Sequence, residues 1–230
     1  MQIKTPVLFI NFKTYEQATG ENALKLAKAA EEVSKEEHAS IVLVVQAADL
    51  RLVSENVSLP VFAQHIDPVT YGSNTGKILP EAAKAAGAVG TVLSHAENKQ
   101  GNEFIEAALV RAKEMGFDVM VCAETLERAK EIAAMQIKPD FIAVEPPELI
   151  GGDISVSTAQ PELVTDSVNA VKEIAPEIAV VTGAGVKNSD DVAKAIELGT
   201  VGVFVASGIV NAENLKEAIR GLVKGFAKGA

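Results

Sequence analysis

The sequence predicts an α/β chain whose parallel strands close into an eight-stranded (β/α)8 barrel. Three observations point there. Eight short apolar runs recur at roughly 20–35-residue intervals along the 230 residues. Each run is continuous rather than alternating, as in strands covered on both faces of a parallel sheet. Helical patterns separate the runs from end to end, with no Pro/Gly/Ser-rich linker, so residues 1–230 are expected to form one barrel domain. An open, doubly wound sheet is the alternative, because alternation alone does not report closure.

Taken in order, the first run is Val7–Ile10, followed by ENALKLAKAAEEVSKEE, which places Ala23, Leu26, Ala27, Ala30 and Val33 on one helix face with charges opposite. Ile41–Val45 and Val61–Ala63 are the next strands, and Pro80 suits the first turn of a helix. Thr91–Leu93, Val119–Val121 and Phe141–Val144 follow, with Pro161 opening another helix. After Ile178–Val181, Ser189 is a suitable N-cap, Asp190 and Asp191 suit the first turn, and Gly199 can close the helix before Val201–Val205.

Composition excludes several function classes. Twenty-one Lys and Arg against 31 Asp and Glu give a net charge of −10, with no clustered basic stripe for nucleic acid or an anionic membrane. An anionic small molecule stays open, since a few local donors outweigh a distant acidic surface. Cys122, the only cysteine, excludes an intrachain disulfide and is expected to be a buried packing residue. With it, three histidines show no metal-ligand spacing, so no metal or organic cofactor is expected. The apolar run before Asn11 is too short for a signal peptide, and no stretch approaches the ~18 residues of a membrane span. The chain is therefore expected in the cytoplasm.

In a parallel barrel, residues just past the C-terminal ends of the strands share one mouth. Here they are Asn11 and Lys13, Gln64 and His65, Ser94, His95 and Glu97, Glu145, Gly183–Gly185, and Ala206–Gly208. A carboxylate takes a proton from carbon, an imidazole polarises a carbonyl, a lysine offsets enediolate charge, and small-residue turns hold phosphate. Proton abstraction beside the carbonyl of a phosphorylated substrate would use all four. As a dinucleotide fingerprint, Gly183-Ala184-Gly185 is weak, because it follows the seventh run and has no third glycine.

Five segments then occur in one order: Asn11-Phe12-Lys13-Thr14-Tyr15, Ser94-His95-Ala96-Glu97, Ala143-Val144-Glu145-Pro146-Pro147-Glu148-Leu149-Ile150-Gly151, Gly183-Ala184-Gly185-Val186 and Ala206-Ser207-Gly208. Over essentially its whole length the chain resembles the triosephosphate isomerase family, in its shorter archaeal type. That resemblance implies interconversion of D-glyceraldehyde 3-phosphate and dihydroxyacetone phosphate through an enediolate, in glycolysis and gluconeogenesis. It implies Glu145 as the base and His95 as the electrophile. Lys13 would be the cation facing the substrate dianion, Asn11 a substrate hydrogen-bonding residue, and Glu97 an acid beside the lysine. It places Ile150, Gly151, Gly185, Ala206 and Ser207 around the phosphate, and it makes residues 146–152 a lid.

The chain departs from the larger members of that family. It has no Trp in the lid, and Gly185 stands where they carry a serine. Gly152-Asp153, Gln46 and Asn98-Lys99-Gln100 also differ from the family pattern. Tyr71-Gly72-Ser73-Asn74-Thr75-Gly76-Lys77 resembles the family's protruding third loop, which implies that Thr75 reaches a partner subunit's site. A dimer is then the minimum unit, with a homotetramer usual in the archaeal type. His65 is read as structural and His38 as solvated. Two rivals remain at this stage. A Schiff-base aldolase would need an interior lysine on the sixth strand, which instead reads Phe141-Ile142-Ala143-Val144-Glu145. A barrel that binds metabolites without turnover is the other.

Overall fold

The computed structural model describes residues 3–152 and 154–229. Eight parallel strands close a barrel in sequence order: β1 (Val7–Asn11), β2 (Ser40–Val45), β3 (Val61–Ala63), β4 (Gly90–Leu93), β5 (Asp118–Ala123), β6 (Phe141–Val144), β7 (Ala179–Gly183) and β8 (Gly202–Val205). β8 returns to β1 in register from Val7↔Gly202 to Ile10↔Val205, which sets aside the open sheet. Every predicted run lies on a strand. The seventh is shifted toward Gly183, because the Ile178 amide is tied into a turn by its bond to Ala175 O at 3.1 Å.

Helices α1 (Glu21–Glu37), α2 (Leu50–Ser54), α3 (Pro80–Ala85), α4 (Asn102–Glu114), α5 (Leu126–Ala134), α6 (Val156–Ala159), α7 (Pro161–Ile174), α8 (Ser189–Glu197), α9 (Ser207–Val210) and α10 (Leu215–Lys228) occupy the connections. Pro80 and Pro161 sit in the first turns of α3 and α7, where a missing N–H costs nothing. One expectation is corrected. Ser189 is the first residue of α8, and Asn188 is its cap: the Asn188 side chain accepts the Asp190 and Asp191 amides at 2.8 and 3.0 Å, while Asp191 accepts the Asn188 amide. Asn188 has the extended backbone a cap requires, and Asp191 three residues on completes a capping box.

Two apolar layers follow from the strand pleat. Inside the barrel, Phe9 meets Phe62, Phe141 and Phe204 edge-on, at centroid distances of 5.8, 5.2 and 6.4 Å. The alternate residues Leu8 and Ile10 face outward into a second cluster with Leu26, Ala27 and Ala30 of α1. All five residues predicted for the inner face of α1 are buried. The aromatic plug fills the interior, so the polar residues at the strand ends are left at the mouth. Among the described residues, no helix is long and apolar enough to cross a membrane.

Candidate active site

Each predicted polar residue reaches the mouth by a local device. β1 ends at Asn11, whose side-chain oxygen accepts the Lys13 amide at 3.0 Å and so folds the chain back. Lys13 adopts a left-handed backbone, φ 47°, which an L side chain enters only when its surroundings enforce it. The second restraint is Gln64, at the end of β3, whose amide donates to Lys13 O at 2.9 Å. Thus braced, the Lys13 ammonium lies 2.8 Å from Glu97 and is largely sheltered.

β4 is followed by Ser94, also left-handed at φ 56°, which turns His95 into the mouth. The backbone amide of Glu97 donates to His95 Nδ1 at 3.2 Å. An accepting Nδ1 carries no proton, so the proton of the neutral ring is on Nε2. Nε2 lies 3.7 Å from Glu145 Oε2. Burial, reinforced by the nearby Lys13 charge and opposed by Glu97, pulls the His95 pKa down to about 4, so the ring is neutral near pH 7.

Glu145 follows β6, held there by its own amide bonding to Ala123 O at 2.9 Å. Its side chain is 5% exposed, and Oε2 is buried with no hydrogen-bond partner. Burial raises its pKa to about 7, against the opposing effects of a Cys122 thiol hydrogen bond and the Lys13 charge. Cys122 is buried as expected, but it also touches the Glu145 carboxylate, which its place in an apolar run did not signal. Gly183 matters here for a steric reason. A Cβ on it would come within 2.3 Å of Glu145 Oε1, so only glycine leaves the carboxylate its seat.

Asn11, Lys13, His95, Glu145, Ile150, Gly151, Gly185, Ala206 and Ser207 line one cleft, together with Gly208 and with Lys187, which sequence reasoning had not singled out. A basic residue two positions after Gly185 was the available signal for Lys187. Glu97 does not line this cleft. It borders an adjoining one, shared through Asn11, Lys13, Tyr15 and His95 and bounded by Gln46, Gln64 and His65. Thr75 lines neither cleft; it lies on an exposed loop. His65 stacks on Phe104 and faces Asp67, a structural placement, and His38 is exposed at the end of α1.

Residues 147–149 form a single 3-10 turn leading to the cleft-lining Ile150 and Gly151, secured by the Leu149 and Ile150 amides bonding to Pro146 O and Pro147 O. Asp153 lies outside the described residues. Beyond it the backbone at Ile154 and Ser155 packs directly on the turn after β7. Gly185, at φ 71°, would bring a Cβ within 2.1 Å of Ile154 O. The serine expected from larger family members is therefore excluded by packing, not merely absent.

Residues 6–222 match the family model described as triosephosphate isomerase, nearly the whole barrel. The chain belongs to the triosephosphate isomerase family. It is 47% identical over 218 residues to the triosephosphate isomerase of Methanothermus fervidus, covering 95% of this chain and 97% of that protein. The enzymes of the same name from Methanobacterium bryantii and Methanocaldococcus jannaschii are each 46% identical. Those two matches cover 96% and 95% of this chain, and 96% and 99% of the respective relatives. Family membership and geometry are independent observations, since the match says nothing of where Glu145 Oε2 points.

Proposed function

We propose that Glu145, His95, Lys13, Asn11 and Glu97 carry the reaction of this triose-phosphate isomerase, which interconverts D-glyceraldehyde 3-phosphate and dihydroxyacetone phosphate in glycolysis. The carrying observation is the unpartnered, buried Glu145 Oε2 beside His95 Nε2 in the cleft that also receives Lys13. Ionised Glu145 takes a proton from the carbon next to the carbonyl, and the C–H electrons become the enediolate double bond. His95 Nε2–H donates to the carbonyl oxygen as it gains charge, and the Lys13 ammonium offsets the remainder. Glu145 then returns the proton to the neighbouring carbon. A neutral imidazole is the better match for this step, because the proton it lends is recovered from a hydroxyl of similar acidity. Glu97 holds the lysine in place, and Asn11 holds both the loop and the substrate.

Ile150, Gly151, Gly185, Ala206 and Ser207 surround the substrate phosphate, where small residues allow close backbone approach. Residues 146–152 close over it as a lid that excludes water and retains the enediolate. The chain works as one barrel domain in the cytoplasm, serving gluconeogenesis as well as glycolysis. It works as a dimer at least, and as a homotetramer in the manner of the archaeal type, with Thr75 of one subunit near Asn11 and Lys13 of the next.

Steady-state isomerisation, coupled through NADH-dependent reduction of dihydroxyacetone phosphate, tests the reading. Turnover that is abolished competitively by 2-phosphoglycolate, bound far more tightly than inorganic phosphate, is expected. Equal affinity for the two anions would leave a phosphate-binding barrel without an enediolate site. Replacing Leu149-Ile150 by Ala-Ala is expected to increase elimination to methylglyoxal and inorganic phosphate, and unchanged partitioning would remove the lid from the mechanism.

A further inference from the structure

The loop carrying Thr75 departs from the barrel after Asp67 and rejoins it at α3. A connection of this length, exposed on most of its surface and with Tyr71 at its tip 77% exposed, is ordinarily mobile. Here both ends are tied twice. At the root, the Asp67 amide donates to Ile78 O at 2.9 Å, and the Ile78 amide returns to Asp67 Oδ2 at 2.7 Å, with the Lys77 ammonium 3.2 Å from the same carboxylate. One level further out, Arg111 of α4 reaches across. Its Nε donates to Val69 O, on the outgoing limb, at 3.1 Å, and its Nη2 pairs with Glu81, on the returning limb. The Arg111 side chain is 13% exposed and the Glu81 side chain 19%, so the pairing is sheltered from solvent. Within the tip, Asn74 bonds back to Thr70 O at 2.5 Å.

We infer that Arg111 is a positioning residue of the subunit contact: by joining Val69 and Glu81 it preshapes the 68–79 arm that inserts beside a second copy's Lys13 and Glu97. This rests on the dimer proposed above and goes beyond it, since it assigns the arm's readiness to a residue outside the arm, on α4. The physical reason is entropic. An arm that is ordered only on docking loses backbone and side-chain freedom at the moment of association, whereas a braced arm has already lost it in folding. The planar, forked guanidinium suits the task because it addresses a carbonyl and a carboxylate at once; an ammonium on a flexible stem satisfies one. Phe104, seven residues earlier on α4 and hence on the same face, stacks with His65 at 5.5 Å and fixes the arm root to the same helix.

The test compares wild type with Arg111→Lys, which keeps a positive charge beside Glu81. A second variant, Glu81→Gln with Arg111→Met, removes both charges so that neither is left buried alone. Sedimentation gives the dimer dissociation constant, and specific activity is followed on dilution. A dissociation constant raised about tenfold in either variant, with kcat within twofold of wild type where the dimer is saturated, is the expected result. A lowered Tm with an unchanged dissociation constant in both variants would make the contact a simple stabilising one and overturn the inference. A wild type that sediments as a fully active monomer would instead sink the dimer reading, and the brace with it.

Discussion

Two carboxylates at opposite ends of the barrel, Asp140 and Glu145, are treated in opposite ways. At the N-terminal end, Asp140 accepts both the Lys113 ammonium, at 2.6 Å, and the Val119 amide, at 2.7 Å. At the C-terminal mouth, Glu145 is buried more deeply and one of its oxygens has no donor at all. The backbone repeats the contrast. Of the four non-glycine residues with positive φ among the described residues, Lys13, Ser94 and Ala184 directly follow strands at the mouth, and only His38 lies elsewhere. Unpartnered buried charge and left-handed backbone both cost stability, and at the mouth Glu145 Oε2 and the turns at Lys13, Ser94 and Ala184 bring the two together.

The sharpest way to break that comparison is to remove one carboxylate from each end. Glu145→Gln keeps the shape and removes the base, so kcat/KM should fall by roughly a thousandfold or more in the coupled assay. Asp140→Asn should leave kcat/KM within about twofold and lower Tm by a few degrees, as for the loss of about 1 kcal/mol in a domain of this size. Comparable activity losses from the two would erase the distinction.

Gly185→Ser probes the strain rather than the charge. The hydroxyl that larger family members carry is expected to harm this chain, because its Cβ meets Ile154 O and its backbone is left-handed. A kcat/KM loss of about tenfold or more is expected, from kinetics at saturating and limiting substrate. Tighter phosphate binding in this variant would show that the Ile154–Gly185 packing yields easily.

Protonation separates the ends further. Glu145 is a base only when ionised, so log kcat/KM of the free enzyme should decline below about pH 7, with no second step from an imidazole between pH 6 and 7. Stability should respond as well. The folded pKa of Glu145 is raised, so its contribution is full below its ordinary value of 4.5 and is lost as pH rises through 7. The folded pKa of His95 is lowered, so its contribution is full above 6.5 and is lost as pH falls through 4. Each shift corresponds to about 3 kcal/mol, and the two slopes oppose each other between about pH 4.5 and 6.5. The pair therefore adds little net slope to the wild-type Tm there, and the lowered pKa of buried His65 leaves a rise with pH. Glu145→Gln should steepen that rise across the window, and an unchanged slope in this variant would contradict the assignment of the two shifts.

The smallest effect tests a feature remote from the site. Asn188→Ala removes the α8 capping box, which is worth about 1 kcal/mol. Tm should drop by roughly 2–4 °C with kinetics unchanged.

Much of this was readable along the chain. Continuous runs such as Phe141–Val144 mark strands because a doubly covered strand has no polar face, and the spacing of Ala23, Leu26, Ala27, Ala30 and Val33 marks α1 because a helix repeats every 3.6 residues. The ordered segments around Lys13, His95 and Glu145 predicted residues that do line one cleft at the mouth. The α8 cap was misplaced by one residue, because Asn188 and Ser189 are both capable caps and only the Asp191 amide geometry selects between them. Cys122 under Glu145, Gln64 behind Lys13 and Arg111 across the arm were not legible in these terms, since each acts on a residue 23, 51 or 42 positions away.

By itself, then, the sequence determined the local periodicities, the order of the strands and the identities of the groups that meet at the mouth. Closure of β8 onto β1, the pushing of both Glu145 and His95 toward their neutral forms, and the exclusion of a side chain at 185 were decided only in three dimensions. The reason is physical: periodicity is a property of neighbours in the chain, whereas desolvation and steric exclusion depend on every atom that surrounds a group once the chain has folded.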